Sequence, residues 1–200
     1  FKPRYIKVFG YGVSIGDYPT IIGASDANVQ LTAWSIGKHK GKIDIGKYAL
    51  ITPGVRIMAA ENIKIGDACM IAHGAYISDA DWHGIYDRAE PVGKTKPVIL
   101  KDNVWIGDSA IICKGVTIGN NSIIGAGSVV TKDVPDNVIY AGNPAKLVKK
   151  LDNDEFNTRR EFFSDPQKLA LDFDNLDKYT LSKNSLIGWL KSLIFPDKSN

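Results

Sequence analysis

The run from Leu100 to Val130, LKDNVWIGDSAIICKGVTIGNNSIIGAGSVV, places an aliphatic residue at every sixth position: Leu100, Ile106, Ile112, Ile118, Ile124 and Val130. Glycine follows three of them, at Gly107, Gly119 and Gly125. Four positions on from each aliphatic the residue is small or β-branched: Val104, Ala110, Val116, Ser122 and Ser128. The same phase runs through Ile45, Ile51 and Ile57 and, after a slip of two residues, through Ile65, Ile71 and Ile77, with Ala49, Val55, Cys69 and Ala75 among the fourth positions. A period of six fits neither the helical repeat of about 3.6 nor the alternation of about 2 in an isolated strand. It fits a solenoid in which each unit is one short strand plus a corner. The large aliphatic and the small residue both point inward, and Gly or a small polar residue takes the bend. Three units close a coil of ~18 residues, and successive coils stack at the strand spacing of about 4.8 Å. The predicted fold class is an all-β solenoid, a parallel β-helix. Ser14-Ile15-Gly16 and Ser35-Ile36-Gly37 point to one to three less regular coils upstream.

Composition outside this run marks where the solenoid stops. All but one of the 19 Gly and all but two of the Ile precede residue 146, whereas most Leu follow it. Ile and Gly favour strands and turns, Leu favours helix. The expected organisation is therefore a β-helix over residues 1–146 and an α-helical C-terminal extension over 147–200. Lys+Arg 25 against Asp+Glu 22 leaves a net charge of only +3, spread over both halves, so the chain lacks the basic field of a sequence-independent nucleic-acid binder. No apolar run reaches the ~18–20 residues of a membrane span, and FKPRYIKVFG has no signal-peptide h-region, so a cytoplasmic location is expected. The chain opens on Phe1 rather than Met, which points to residues upstream. Cys69 and Cys113 form no CxxC or ligand-like spacing and read as a reduced pair.

The period fails between Ile77 and Leu100, in SDADWHGIYDRAEPVGKTKP. A coil that restarts in phase ejects such an insertion as a surface loop, here about residues 79–98, and loops of this length on a regular scaffold usually carry function. The loop holds His83, with Asp79, Asp81 and Asp87 each able to accept its ring N–H and fix the tautomer. His73, in IAHGAY, reads as a coil-face residue, and His39, in GKHKGK, as a solvated one.

Residues 96–151 resemble the C-terminal coils of the galactoside and maltose O-acetyltransferase group of hexapeptide acyltransferases. The matching motifs are Asn103-Val104-Trp105-Ile106-Gly107, Gly115-Val116-Thr117-Ile118-Gly119, Gly125-Ala126-Gly127-Ser128, Val130-Thr131-Lys132-Asp133-Val134-Pro135 and Gly142-Asn143-Pro144-Ala145-Lys146. The resemblance implies a left-handed β-helix, an exception to the right-handed crossover rule. It also implies acetyl-CoA as co-substrate, no metal, and a homotrimer with CoA in the groove between subunits. His83 occupies the place of the family's general base on the acceptor hydroxyl, and Asp81 is the expected orienting group. Trp105 and Asp108 fall where the family lines the pantetheine and acceptor region, Gly125 and Ala126 where backbone lies along the pantetheine arm, and Thr131, Lys132 and Lys149 near the nucleotide end. Two departures bear on the acceptor. The N-terminal FKPRYIKVFGYGVSIG reads as extended chain where the group has a helical segment, and Ala72, Cys113 and Thr131 stand at corner positions that Gly often fills.

The resulting expectation is an acetyl-CoA-dependent acetyltransferase acting on a sugar or glycan hydroxyl. Alternatives are an N-acetyltransferase on an amino sugar or a small-molecule acetyltransferase, a metal enzyme resembling γ-class carbonic anhydrase, and a non-catalytic scaffold. The carbonic anhydrase reading needs a His pair about five apart on the coils, and His73 and His83 are not so spaced. In the tail, helices are expected to break at Ser164-Asp165-Pro166 and near Ser182–Asn184. The last, Asn184–Phe195, would carry Leu186, Trp189, Leu190, Leu193 and Ile194 on one face, for packing or for weak membrane-surface association.

Overall fold

The period of six becomes three stacked sheets in the computed structural model, which describes residues 3–152, 156–181 and 185–187. A 3₁₀ turn at Pro3–Tyr5 leads into β1 (Ile6–Phe9). The first full coil is β2 (Val13–Ile15), β3 (Thr20–Ile21) and β4 (Val29–Ala33). A hairpin, β5 (Ser35–Ile36) and β6 (His39–Lys40), then leaves the stack. Four more coils follow: β7 (Ile43–Ile45), β8 (Leu50–Ile51) and β9 (Arg56–Ala59); β10 (Ile63–Ile65), β11 (Met70–Ile71) and β12 (Tyr76–Ser78); β13 (Val98–Leu100), β14 (Trp105–Ile106) and β15 (Ile111–Ile112); β16 (Thr117–Ile118), β17 (Ile123–Ile124) and β18 (Val129–Val130). Strands β19 (Val138–Ala141) and β20 (Lys146–Lys150) close the stack. The sheets run β1-β4-β9-β12-β15-β18 (sheet I), β2-β7-β10-β13-β16 (sheet II) and β3-β8-β11-β14-β17-β19-β20 (sheet III). All pairs within them are parallel except β19 with β20.

Register confirms the inward row. In sheet III, Ile21, Ile51, Ile71, Ile106 and Ile124 stand directly above one another. In sheet I the row is Leu31, Ile57, Ile77, Ile112 and Val130, and in sheet II it is Ile45, Ile65, Leu100 and Ile118, continued in register by Ile15, which is exposed at the first coil. The twelve hexad aliphatics from Ile45 to Val130 are all buried, and each such side chain contributes roughly 1.5–3 kcal/mol of apolar burial. The small fourth-position residues are buried too. Where that residue is serine, the next turn of chain satisfies it: Ser122 Oγ donates to the Pro135 carbonyl at 2.6 Å, and Ser128 Oγ accepts the Gly142 N–H at 3.0 Å.

The corner between sheets II and III is fixed by side chains acting on backbone. Tyr48, Ala68, Asn103, Asn121 and Asn137 all take φ between 56° and 59° there, a left-handed conformation that Asn tolerates best among non-glycines. Beside them the N–H groups of Lys47, Asp67, Asp102 and Asn120 donate to the side chains of Asp67, Asp102, Asn120 and Asp136 respectively, each one coil further on, at 2.7 to 3.1 Å. The Asn103, Asn121 and Asn137 carboxamides form a second ladder at 3.0 and 2.8 Å.

The two-residue slip lies at the corner between sheets I and II. Ala60 and Glu61 widen the turn, and their N–H groups donate to the two carboxylate oxygens of Asp79 at 2.8 and 2.9 Å. Two sequence expectations are corrected. Ser35-Ile36-Gly37 belongs to the antiparallel β5–β6 hairpin rather than to a coil, because its strands pair with each other. Residues 147–150, expected in the helical extension, are strand: with Lys146 they form β20, which covers the exposed edge of β19, and the compact unit extends to Arg160. Within this unit Arg159 reaches the first coils, donating to Thr20 Oγ1 at 2.9 Å and to the Tyr48 carbonyl at 3.2 Å.

The second unit spans Glu161–Asn200. A 3₁₀ turn at Glu161–Phe163 precedes α1 (Pro166–Leu181). Pro166 has no N–H to lose at a helix start, and the Asp165 carboxylate caps the Lys168 N–H at 2.9 Å, so the break expected at Ser164-Asp165-Pro166 is a helix start. Phe162 stands edge-on to Phe163 and Phe173 at centroid distances of 5.3 and 6.2 Å. The amphipathic helix expected over 184–195 lies outside the described residues apart from Ser185–Ile187, where Leu186 and Ile187 are exposed.

Candidate active site

The insertion after β12 springs from the corner between sheets I and II, at the root held by Asp79. Asp79 is fully buried, and burial pushes its carboxyl up against the opposing pull of the Ala60, Glu61 and Asn62 N–H groups. Beyond it the two limbs pair: Ala80 bridges Thr95, the Asp81 N–H donates to the Lys94 carbonyl at 2.9 Å, and the Gly93 N–H returns to the Asp81 carbonyl at 2.8 Å. A Cβ at Gly93 would lie 2.4 Å from the His83 carbonyl oxygen, so only glycine lets the limbs approach this closely. Val92 is buried beneath them.

An aromatic column braces the outgoing limb. Trp82 Nε1 donates to the Tyr76 hydroxyl at 3.0 Å, and the Arg56 guanidinium lies 4.7 Å over the Tyr76 ring. Trp34 meets Trp82 at 6.1 Å and Phe9 at 5.3 Å. His83, the next residue, is exposed. Its expected partner Asp81 meets Lys114: Lys114 Nζ donates to Asp81 Oδ1 at 2.6 Å, because Lys114 at the next corner of the same edge points back along it. Asp81, two residues before His83, thus also tethers the loop to the solenoid through Oδ1.

Of the other sequence candidates, Thr131 and Lys132 share the edge of the His83 loop and the rest lie elsewhere. Asp108, Gly125 and Ala126 share the corner between sheets III and I, with Trp105 half-exposed on the adjoining face of sheet III. Coil approach there depends on Gly107, where a Cβ would stand 2.6 Å from the Ala126 nitrogen. Asp108 Oδ1 accepts from Ser109 Oγ at 2.6 Å, and its carbonyl accepts the Gly127 N–H at 2.7 Å. Thr131 and Lys132 lie at the corner between sheets I and II, and Lys149 on β20 opposite Ile139; all three are exposed. Within one chain, the His83 edge and the Trp105–Ala126 edge are thus separate corners of the prism. His73 also departs from expectation: it is an exposed corner residue in the turn below Asp108–Ser109, its carbonyl accepting the Ser109 N–H at 2.8 Å. Among the described residues no three His, Cys, Asp or Glu side chains gather as a metal site.

Asp79, named with Asp81 and Asp87 as a possible acceptor for the His83 ring, is buried at the loop root on the Ala60 and Glu61 N–H groups, a role that carries no periodic signal. The participant that the sequence does not reveal is His39. His39 was read as solvated, whereas it is half-buried and lines a cleft of ≈620 Å³ with Gly84 and Gly93 of the loop. The only hint was that GKHKGK interrupts the coil on the same edge as the insertion.

Stacked hexapeptide coils with inward aliphatics and a histidine-bearing loop define a class, the left-handed parallel β-helix of hexapeptide repeats. Residues 97–132 match the family model for the bacterial transferase hexapeptide (six repeats). Over 117 residues the chain is 35% identical to the galactoside O-acetyltransferase of Escherichia coli (strain K12), covering 58% of this chain and 57% of that one. A hexapeptide-repeat containing acetyltransferase from Vibrio cholerae, solved with acetyl coenzyme A, is 30% identical with a TM-score of 0.57, over 72% of this chain and 73% of that chain. A maltose O-acetyltransferase from Clostridium difficile is 32% identical with a TM-score of 0.53, over 72% and 71%. The chain belongs to the hexapeptide-repeat acyltransferase superfamily. It spans only 57% of the length of the galactoside O-acetyltransferase it matches.

Proposed function

We propose that the chain transfers an acetyl group from acetyl-CoA to a hydroxyl of a sugar or glycan, with His83 as general base. The observation that carries this reading is the exposed His83 on a braced loop of a solenoid whose relatives of known structure include an acetyl-CoA complex. The neutral imidazole takes the acceptor proton as the oxygen attacks the thioester carbonyl. The C–S bond then breaks, and the proton passes to the departing thiolate. A positioned general base of this kind is worth roughly 10²–10⁴ in rate.

The two separate corners support a shared site. In a homotrimer, the loop edge of one subunit faces the Trp105–Ala126 edge of the next, so that base and CoA groove belong to different chains. Trp105 offers an exposed indole to the pantetheine arm, and Gly125 and Ala126 present backbone without bulk. Thr131, Lys132 and Lys149 supply a hydroxyl and two cations for the nucleotide phosphates. The test is thiol release from acetyl-CoA with a panel of sugar acceptors. His83→Ala is expected to lower turnover by roughly 10²-fold or more with the oligomer intact. An unchanged rate would remove His83 from the chemistry.

A further inference from the structure

Two insertions leave the solenoid from the same edge, the β5–β6 hairpin and the loop after β12, and the ≈620 Å³ cleft between them is of a size that holds one or two sugar rings. We propose that this cleft is the acceptor subsite and that it takes an anionic saccharide, one bearing a carboxylate or a phosphate. The proposal rests on the acetyl-transfer reading above and names the acceptor class for it.

Position places the cleft beside the chemistry. Gly84, next to His83, and Gly93, packed on the His83 carbonyl, both line it. Charge sets the class. Lys38 from the hairpin and Lys94 and Lys96 from the returning limb line the cleft, and among the described residues none of the three has an ion-pair partner. Elsewhere Lys42, Lys47, Lys101 and Lys114 pair with Asp44, Asp17, Asp136 and Asp81, whereas Lys64, Lys132, Lys146 and Lys149 are unpaired among the described residues, so what marks the cleft is three unpaired lysines on one lining. His39, between the Lys38 wall and the loop, adds a donor or acceptor according to its tautomer. The rest of the lining suits a sugar. Tyr86 is fully exposed at the rim and gives a flat apolar face for ring C–H groups, while the Asp87 and Glu90 carboxylates can accept from hydroxyls. With three lysines against Asp87 and Glu90 the lining carries one excess positive charge; a neutral saccharide would leave it uncompensated, whereas an anionic one uses all of these groups.

The experiment compares paired acceptors on the full chain: glucose against glucuronate, and glucose against glucose 6-phosphate. Thiol release from acetyl-CoA is read alongside calorimetric titration of each sugar into the protein without CoA. The anionic member of at least one pair is expected to show a kcat/KM about tenfold higher, carried mainly by KM and weakened by salt. Which pair responds distinguishes carboxylate from phosphate. In Lys38→Gln, Lys94→Gln and Lys96→Gln, which keep the stems and remove the charge, the anionic-to-neutral ratio should fall toward one. A preference for glucose, or a ratio that the three variants leave unmoved, overturns the anionic subsite while acetyl transfer stands. Thiol release with no sugar at all, together with no calorimetric binding of either anion, overturns both readings.

Discussion

Replacing Asp79 tests whether the root of the loop hangs on one buried carboxylate. Asp79 is 0% exposed and accepts the Ala60 and Glu61 N–H groups at 2.8 and 2.9 Å, so Asp79→Ala leaves one buried and one half-buried donor without partners. Each such orphan costs roughly 1–3 kcal/mol, and relief of a desolvated charge offsets part of the sum, giving an expected loss of about 2–4 kcal/mol. Asp79→Asn keeps one acceptor oxygen and turns an NH₂ toward the second donor, so its loss should be about half as large. The pH dependence has a definite sign. Burial raises the Asp79 pKa in the folded chain, so its contribution is fully present below the unfolded value and is lost as pH rises through the folded one. The stability of the parent minus that of Asp79→Asn should therefore be larger near the unfolded carboxyl value, at about pH 4, than at about pH 7. Urea unfolding followed by tryptophan fluorescence measures both quantities. A difference that grows from the lower pH to the higher, or an Ala variant within about 0.5 kcal/mol of the parent, would refute the reasoning.

Other variants probe the solenoid itself. Ile106→Ala, in the middle of the sheet III row between Ile71 and Ile124, should cost about 2–5 kcal/mol of unfolding free energy in denaturant titration. Asn121→Val places a β-branched residue at φ 58° and breaks both of its carboxamide ladder bonds; a loss of about 2–4 kcal/mol is expected, and Asn121→Gly should recover the conformational part. Burial pushes the Cys69 thiol up to about 12, so Ellman's reagent near pH 8 should leave it unmodified until the chain is unfolded. Prompt labelling of Cys69 in the native protein would show that the core is open at that coil.

The fold was legible because each hexad imposes the same constraint three times per coil, and Ile51, Ile71 and Ile106 had to stack once the period was recognised. The interruptions were legible only as interruptions. That Ser35-Ile36-Gly37 turns back as a hairpin depends on pairing between Ile36 and His39, which no period encodes. Residues 147–150 read as tail by composition and fold as strand because the edge of β19 offers unpaired backbone. For the site, the position of His83 followed from the resemblance. Its surroundings did not: Lys114 captures Asp81 from a different coil, and His39 joins the loop across two insertions, both juxtapositions set by stacking rather than by sequence distance.

A stack of parallel strands ends in open backbone, and identical prisms could in principle join end to end into a fibre. On sheet III that route is closed by β20, which runs antiparallel over β19 and carries Lys146, Lys149 and Lys150 on a fully exposed strand. A second molecule adding there would meet a reversed strand direction and a row of like charge. The exposed strand β20 therefore blunts the sheet III end of the stack, and neutralising its lysines would remove the charge part of that barrier.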